Sequence, residues 1–136
     1  MKPRFMLDTN VCIYLMKHHP PEVAERFAAC FVGEVLISAI TLAELEHGVA
    51  CSGHALKQNR KALVGFLEDV VVADFGRDAA AAYGPARYAT RERRRDALDK
   101  LIAAHALALG VTLVTNNEAD FANYPGLTVE NWVASP

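Results

Sequence analysis

Five acidic or amide side chains stand either just after a short apolar run or just inside the start of a predicted helix. These are Asp8, Glu44, Asp99, Asn117 and Asp120. Carboxylates that converge repel one another, and burial raises their pKa values unless a cation compensates. Hard oxygen ligands of this kind suit Mg²⁺ or Mn²⁺. Such an ion polarises a phosphoryl oxygen and lowers the pKa of a bound water, so the chemistry indicated is phosphodiester hydrolysis.

Short apolar runs precede these positions and have the composition of buried parallel strands. Strands are predicted at 5–7, 35–38, 70–73, 111–114 and 127–129. The carboxyl ends of parallel strands lie at one edge of a sheet, and ligands bind there in open α/β sheets. Asp8 directly follows the first run, and Asn117 follows the fourth after two residues. We therefore expect these side chains to converge at that edge.

Helical patterns alternate with the strands. One helix follows Asn10, another opens at Thr41, and others are predicted at 22–31, 56–67, 78–89 and 96–109. Pro21 fits the first position of its helix, and Gly110 fits the residue after the last of these helices. This alternation predicts an α/β fold with a parallel sheet and right-handed crossovers.

Each of the carboxylates also has a local explanation as part of a helix cap. Asp8 is a good N-cap by residue type, and Thr41 with Glu44 has the pattern of a capping box. Asp99 and Asp120 each follow a polar residue by three positions, which is a weaker form of that pattern. Any one residue is better explained as a cap, whereas the whole set favours a metal site.

Polar side chains next to these carboxylates can likewise be interpreted either as part of a metal site or as helix caps. They are Thr9, Asn10, Ser38 and Thr115. Each can orient a ligand or a water, or it can cap a helix. His105 lies on the apolar side of its predicted helix, and we expect a hydrogen-bonded core residue there.

Length and composition favour one domain, 1–136, with enough apolar material for a core. The chain has 136 residues, of which 52% are hydrophobic, and this is near the commonest domain size. No apolar run approaches the ~20 residues that span a membrane. No signal peptide is expected, since Asp8 interrupts the first apolar run, and three widely spaced cysteines indicate reduced thiols. We expect a cytoplasmic protein.

The net charge of −2 is not that of a general polyanion binder. Six of the fourteen basic residues nevertheless fall in one segment. They are Arg87, Arg91, Arg93, Arg94, Arg95 and Lys100. A solvated helix end is one interpretation, and a patch that contacts phosphates is the other.

Other catalytic patterns are missing from the sequence. There is no GxSxG, no Walker A motif and no GxGxxG, and the three cysteines have no obvious base partner. Asp8 is followed by Thr9 and Asn10 and not by a second Asp two residues on, which argues against an aspartyl-phosphate phosphatase.

Five blocks, in order along the chain, resemble PIN-domain ribonucleases of the VapC toxin type. They are FMLDTNVCIY at 5–14, ISAITLAEL at 37–45, DKLIAAHA at 99–106, VTNNEADF at 114–121 and GLTVENW at 126–132. Each block is loose by itself, whereas the ordered set is specific and spans nearly the whole chain. The resemblance implies one PIN domain, with a central parallel sheet flanked by helices.

The same resemblance implies an activity, a cofactor and partners. It implies an endoribonuclease that depends on Mg²⁺ or Mn²⁺ and is the toxin of a type II toxin–antitoxin pair. Its substrate would be a structured RNA such as tRNA, and its partners a VapB-type antitoxin and a second copy of the chain. Asp8 and Asp99 match the family aspartates that carry the metal, and Glu44 matches the glutamate that completes the acidic set.

Two positions depart from the family pattern. Asn117 stands where the family often has a fourth acid, so either Asp120 supplies that charge or the site has three strong acids. The segment 90–96, TRERRRD, replaces a glycine-containing loop, and its charge would contact RNA or an acidic antitoxin tail. Two alternatives to the toxin stay open: a PIN-like binding module with little catalysis, and a structure-specific nuclease of the same fold.

Overall fold

Five short strands form one parallel sheet in the computed structural model, which describes residues 2–134. They are β1 (Phe5–Leu7), β2 (Val35–Ser38), β3 (Val71–Ala73), β4 (Thr112–Val114) and β5 (Val129–Glu130). Their order across the sheet is β3-β2-β1-β4-β5, and every neighbouring pair is parallel. The α/β fold with a central parallel sheet is therefore confirmed.

The helices occupy the connections between the strands. They are α1 (Thr9–Lys17), α2 (Pro21–Ala28), α3 (Ala39–Ala50), α4 (Leu56–Leu67), α5 (Arg77–Ala89), α6 (Ala97–Leu109) and the short α7 (Glu118–Phe121). Within residues 2–134, none of them combines the length and the apolar composition that crossing a membrane requires.

Alternate side chains of the strands form two core layers, one on each face of the sheet. Leu7 and Ile37 point to the face that α1, α2, α3 and α4 cover. Met6 and Leu36 point to the opposite face, where α5 and α6 pack. This division follows from right-handed crossovers: two successive connections run one way across the sheet, and the third runs back over the other face.

The chain reverses direction across the sheet beside β1. From β1 it proceeds outward through β2 to β3, and it then crosses back to β4 on the other side of β1. The carboxyl ends of β1 and β4 consequently border a crevice, which is the usual ligand site of such a sheet. Asp8 follows β1 directly, and Thr115 follows β4 directly.

Most predicted element boundaries agree with the structure to within about two residues, but α2 ends earlier than predicted. It stops at Ala28 and not at 31. The reason is a turn in which Glu34 accepts a hydrogen bond from Phe31 N (2.8 Å) and also pairs with Arg4. The last strand is also shifted, since it contains Val129–Glu130 where 127–129 was predicted.

The C-terminal segment packs onto the first strand. Trp132 is buried and makes an edge-on contact with Phe5, at 5.3 Å between ring centres. Along α6, Ile102 and His105 are buried, whereas Leu98 and Leu109 are exposed.

Candidate active site

Asp8 is both a helix cap and a buried carboxylate at the end of the central strand. Its Oδ1 accepts a hydrogen bond from Val11 N (2.9 Å), which caps α1. Its Oδ2 accepts one from the Thr115 hydroxyl (2.5 Å). Only 5% of the Asp8 surface is exposed. The two interpretations of Asp8 are therefore compatible, because one oxygen caps the helix while the other faces the end of β4.

The carboxyl end of β4 is tied to Asp8 by more than one bond. Asp8 N donates to Val114 O (3.0 Å), and Thr115, itself fully buried, accepts from Asn117 N (2.9 Å). Asn117 is exposed and precedes α7, and its side chain makes no capping hydrogen bond. Thr115 thus orients both the Asp8 carboxylate and the backbone that carries Asn117.

Glu44 reaches the same region from α3, and the predicted capping box is wrong. Ser38 is the N-cap of α3, since its Oγ accepts from Ile40 N (3.1 Å). The helix therefore begins at Ala39, and Thr41 lies inside it with a buried hydroxyl that has no hydrogen-bond partner among the described residues. Glu44 is free of a capping role and accepts from the Thr9 hydroxyl (2.7 Å).

Asp99 lies in the first turn of α6 and is partly buried. The pKa of Asp99 is raised to about 6, mainly by burial of its carboxyl group and further by the negative charges of Asp96, Glu44, Asp8 and Asp120. The weak capping pattern with Asp96 is not formed, since Asp96 has a left-handed backbone (φ 68°) and makes no side-chain capping bond. Asp99 therefore lies within electrostatic reach of the other acidic side chains that the sequence singled out.

The pKa of Asp8 is also raised, mainly because its carboxylate is buried. The hydrogen bonds from Thr115 and Val11 oppose this effect, and the nearby charge of Glu44 adds to it. Asp8, Glu44 and Asp99 thus form one negatively charged region at the carboxyl edge of the sheet, where the sequence predicted convergence.

Asp120 differs from these three because an arginine compensates its charge. Arg93 donates to Asp120 (2.8 Å) and, through the same nitrogen, to Asp96 (2.9 Å). These two bonds raise the pKa of the Arg93 guanidinium. The residues around Arg93 in the sequence do not indicate a pairing with Asp120. Of the two pairings, only the one with Asp96, which is three residues from Arg93, could have been expected from spacing in the sequence.

Lys100 does not belong to an exposed basic patch. It is buried, and its ammonium donates to Thr90 O (2.9 Å) and to Arg93 O. These bonds fix the loop between α5 and α6, which contains most of the basic segment. Of the other basic side chains there, Arg93 is partly buried, and Arg87, Arg91, Arg94 and Arg95 are exposed.

His105 is a hydrogen-bonded core residue, as predicted. Its Nδ1 lies 2.8 Å from Ser38 Oγ, and its ring meets Phe75 edge-on at 5.3 Å. Burial lowers the pKa of His105. Ser38 consequently connects the start of α3 to the middle of α6.

The donor chemistry of the site fits a hard divalent cation, since Asp8, Glu44 and Asp99 offer carboxylate oxygens. Two of the three are held by threonine hydroxyls, as ligands of a metal commonly are. Within residues 2–134, however, no three His, Cys, Asp or Glu side chains are placed closely enough together to hold an ion. The oxygen-rich set fits Mg²⁺ or Mn²⁺ in kind, and the carboxylates would have to draw together around the ion.

The known proteins that this chain resembles belong to one family. The sequence model of the family described as "PIN domain" matches residues 5–127. The chain is 37% identical to the tRNA(fMet)-specific endonuclease VapC of Shigella flexneri over 131 residues, which cover 95% of this chain and 98% of that protein. It is also 37% identical to ribonuclease VapC2 of Rickettsia felis over 133 residues, which cover 94% and 97% of the two chains.

Solved structures with the same fold include two complexes bound to DNA. VapBC from Salmonella typhimurium has a chain that matches with a TM-score of 0.88 and 36% identity, over 96% of this chain and 99% of that one. VapBC2 from Rickettsia felis, bound to a DNA fragment from its promoter, matches with a TM-score of 0.85 and 34% identity, over 98% and 100%.

Proposed function

Because this chain belongs to the PIN domain family and to its VapC-type ribonucleases, we propose that it hydrolyses RNA with the help of Mg²⁺ or Mn²⁺. One observation carries the metal requirement: the charges of Asp8 and Glu44 both act on Asp99, whose pKa is raised to about 6. Three converging carboxylates without a cation of their own are costly, and a divalent ion would compensate them.

Asp8, Glu44 and Asp99 would hold the ion. When bound, it would polarise a phosphoryl oxygen and lower the pKa of the water that attacks phosphorus. Thr115 and Thr9 support this set, since each donates its hydroxyl to one of the carboxylates. Fixing the carboxylates through such outer partners raises metal affinity and orients the attacking water.

Asp120 and Asn117 belong to the same candidate set, but we assign them no direct bond to the metal. Arg93 neutralises Asp120, which favours a role in positioning over direct ligation of the metal. The Asn117 backbone N–H donates to Thr115, whose hydroxyl also donates to Asp8, so Asn117 follows directly from the strand end that carries the site. Both residues would contact the RNA strand or the waters around the ion.

The proposed biological role is that of a toxin with a cognate VapB-type antitoxin. Its support is that related chains of the same length occur in VapBC complexes. A structured RNA such as tRNA is the proposed substrate, because the Shigella relative is named as specific for tRNA(fMet). We also propose a homodimer, on the family resemblance alone.

A binding module with little catalysis is the second candidate. It is favoured by the neutral Asn117 and by the commitment of Asp120 to Arg93, since both reduce the acidic set to three. Metal titration separates the two candidates: an ion that binds only the native state raises its melting temperature. A site whose carboxylates only cap helices would give no such rise.

The experiment for the proposed function is cleavage of a total bacterial RNA pool by antitoxin-free protein, with and without Mn²⁺ or Mg²⁺. We expect discrete cuts that require the metal and disappear in Asp99→Asn. A DNA pool tested in parallel separates an endoribonuclease from a structure-specific nuclease of the same fold. Absence of metal-dependent cuts, with melting unaffected by metal, would favour the binding module.

A further inference from the structure

A cleft of about 420 Å³ lies between the end of α5 and the start of α6, and arginines line most of it. The arginines are Arg87, Arg91, Arg93, Arg94 and Arg95. We call this feature the arginine cleft. Its walls come from the last turns of α5 and from the loop that Lys100 fixes through Thr90 O and Arg93 O. Arg87 is therefore presented by α5, and the other four arginines by a tethered loop.

Four of these five arginines have no carboxylate partner in the part of the chain that the structure describes. Within residues 2–134, the ion pairs that join basic and acidic side chains include Arg93 but not Arg87, Arg91, Arg94 or Arg95. Arg87 and Arg91 instead lie over the tyrosine rings of Tyr83 and Tyr88, with the second guanidinium 4.2 Å from its ring centre. Glu92 lies between Arg91 and Arg93 in the sequence, and it is exposed.

The arginine cleft adjoins the carboxylate site through Arg93. This residue lines the cleft, and its guanidinium binds Asp96 and Asp120. Asp96 is the residue directly before α6, and Asp99 lies in the first turn of the same helix. A polyanion that lies in the cleft would consequently continue toward Asp99 without crossing the body of the protein.

We propose that the arginine cleft binds the phosphate backbone of the substrate RNA on one side of the bond that is cut. This inference rests on the proposed function and adds a substrate-binding surface to it. The planar guanidinium pairs with phosphate oxygens through two hydrogen bonds, so exposed arginines without carboxylate partners suit this ligand. RNA is favoured over an acidic peptide because a phosphate can complete the coordination of Mg²⁺ beside carboxylates.

The test measures RNA binding separately from cleavage. A fluorescent bacterial tRNA preparation is titrated with full-length, antitoxin-free Asp8→Asn protein over a range of salt concentrations, without metal. The test variant adds Arg94→Gln and Arg95→Gln, both exposed in the loop. The control variant adds Lys57→Gln and Lys61→Gln, which remove the same charge from α4 on the opposite face of the sheet.

Each phosphate contact that is lost lowers the slope of log K against log salt by ~0.7 for single strands and ~0.9 for duplexes. We expect the Arg94 and Arg95 changes to lower the slope by about 1.4 to 1.8, and the control changes to leave it nearly as it was. In the active protein, the same pair should raise KM for tRNA cleavage far more than it changes kcat.

Equal slopes for the test and control variants would overturn the inference. So would unchanged RNA binding together with weakened binding of poly-glutamate, since the cleft would then recognise an acidic peptide. These results leave the proposed function intact if the unsubstituted protein still cuts RNA with metal. Failure of the unsubstituted protein to cut RNA would refute the proposed function instead. The salt dependence of RNA binding would still test the arginine cleft, because that measurement does not depend on cleavage.

Discussion

The Thr115 hydroxyl donates to Asp8 Oδ2 at the point where the two neighbouring strands β1 and β4 end. Both side chains are buried, which shields this bond from bulk water. Thr115 also accepts from Asn117 N. One hydroxyl therefore fixes the innermost carboxylate of the site and the start of the segment that leads to Asp120.

Replacing Thr115 with Val should weaken metal binding by about 10- to 100-fold, as loss of an outer partner of a metal ligand typically does. Valine keeps the shape of the side chain but leaves a buried oxygen of Asp8 without its donor, at a cost of about 1–3 kcal/mol in unfolding free energy. Mn²⁺ titration by calorimetry and urea unfolding measure the two effects. Thr115→Ser retains the hydroxyl and should restore most of the affinity; equal affinities in both variants would contradict this role.

Substitutions at Asp8 separate its capping role from its charge. Asp8→Asn keeps an oxygen for Val11 N, so α1 stays capped, while metal-dependent cleavage should fall by roughly two orders of magnitude or more, equivalent to several kcal/mol in the barrier. Asp8→Ala should lose cleavage equally and also lose about 1 kcal/mol of stability with the cap. Urea unfolding and cleavage of the RNA pool measure these effects. Metal-dependent cleavage by either variant at the wild-type rate would refute the assignment of Asp8.

Asp99 should make the metal-free protein less stable as the pH rises. Its pKa is about 6 in the folded protein and near 3.8 otherwise, so the folded state binds its proton more tightly. The stability from this group is present below pH ~4 and is lost as the pH rises through ~6. Asp99→Asn should therefore stabilise the metal-free protein by about 1–2 kcal/mol at pH 8, after allowance for solvent screening, and hardly at all at pH 4.

Thermal melting across this pH range, without metal and with chelator present, measures the difference. Saturating Mn²⁺ at pH 8 should reverse the order, because only the unsubstituted protein keeps the full ligand set. Lower pH should also weaken Mn²⁺ binding, since the ion competes with a proton for Asp99. A pH-independent difference between the two proteins would show that the Asp99 charge is not the cause.

Asp120 and Asn117 offer a test of how many acids the site uses. Asp120→Asn releases one of the two carboxylate partners of Arg93, and we expect a loss of RNA cleavage with Mn²⁺ affinity changed less than threefold, a factor worth about 0.65 kcal/mol. Asn117→Asp should strengthen Mn²⁺ binding, because it adds a fourth carboxylate in the segment that Thr115 ties to Asp8. Calorimetric titration of both variants gives the affinities. A large loss of affinity in Asp120→Asn would make Asp120 a ligand.

Helices and strands were predicted well from the sequence where neighbouring residues determine them. The apolar runs predicted the strands. Pro21 predicted the start of α2 and Gly110 the end of α6, and the structure confirms both. The capping box at Thr41 failed because Ser38, the last residue of β2, already caps α3. Both serine and threonine suit that position, and the pattern of residue types does not show where the strand ends.

The sequence by itself determined the succession of strands and helices along the chain and the family. It also determined which acidic residues could meet at the carboxyl edge of the sheet. Hydrophobic periodicity, turn residues and ordered motifs are all local signals along the chain. Only the tertiary structure decided which partner each acid has. Thr9 reaches Glu44, Thr115 reaches Asp8, and Arg93 takes Asp120, across separations of 35, 107 and 27 residues. These pairings depend on how the elements pack, and no spacing in the sequence records that.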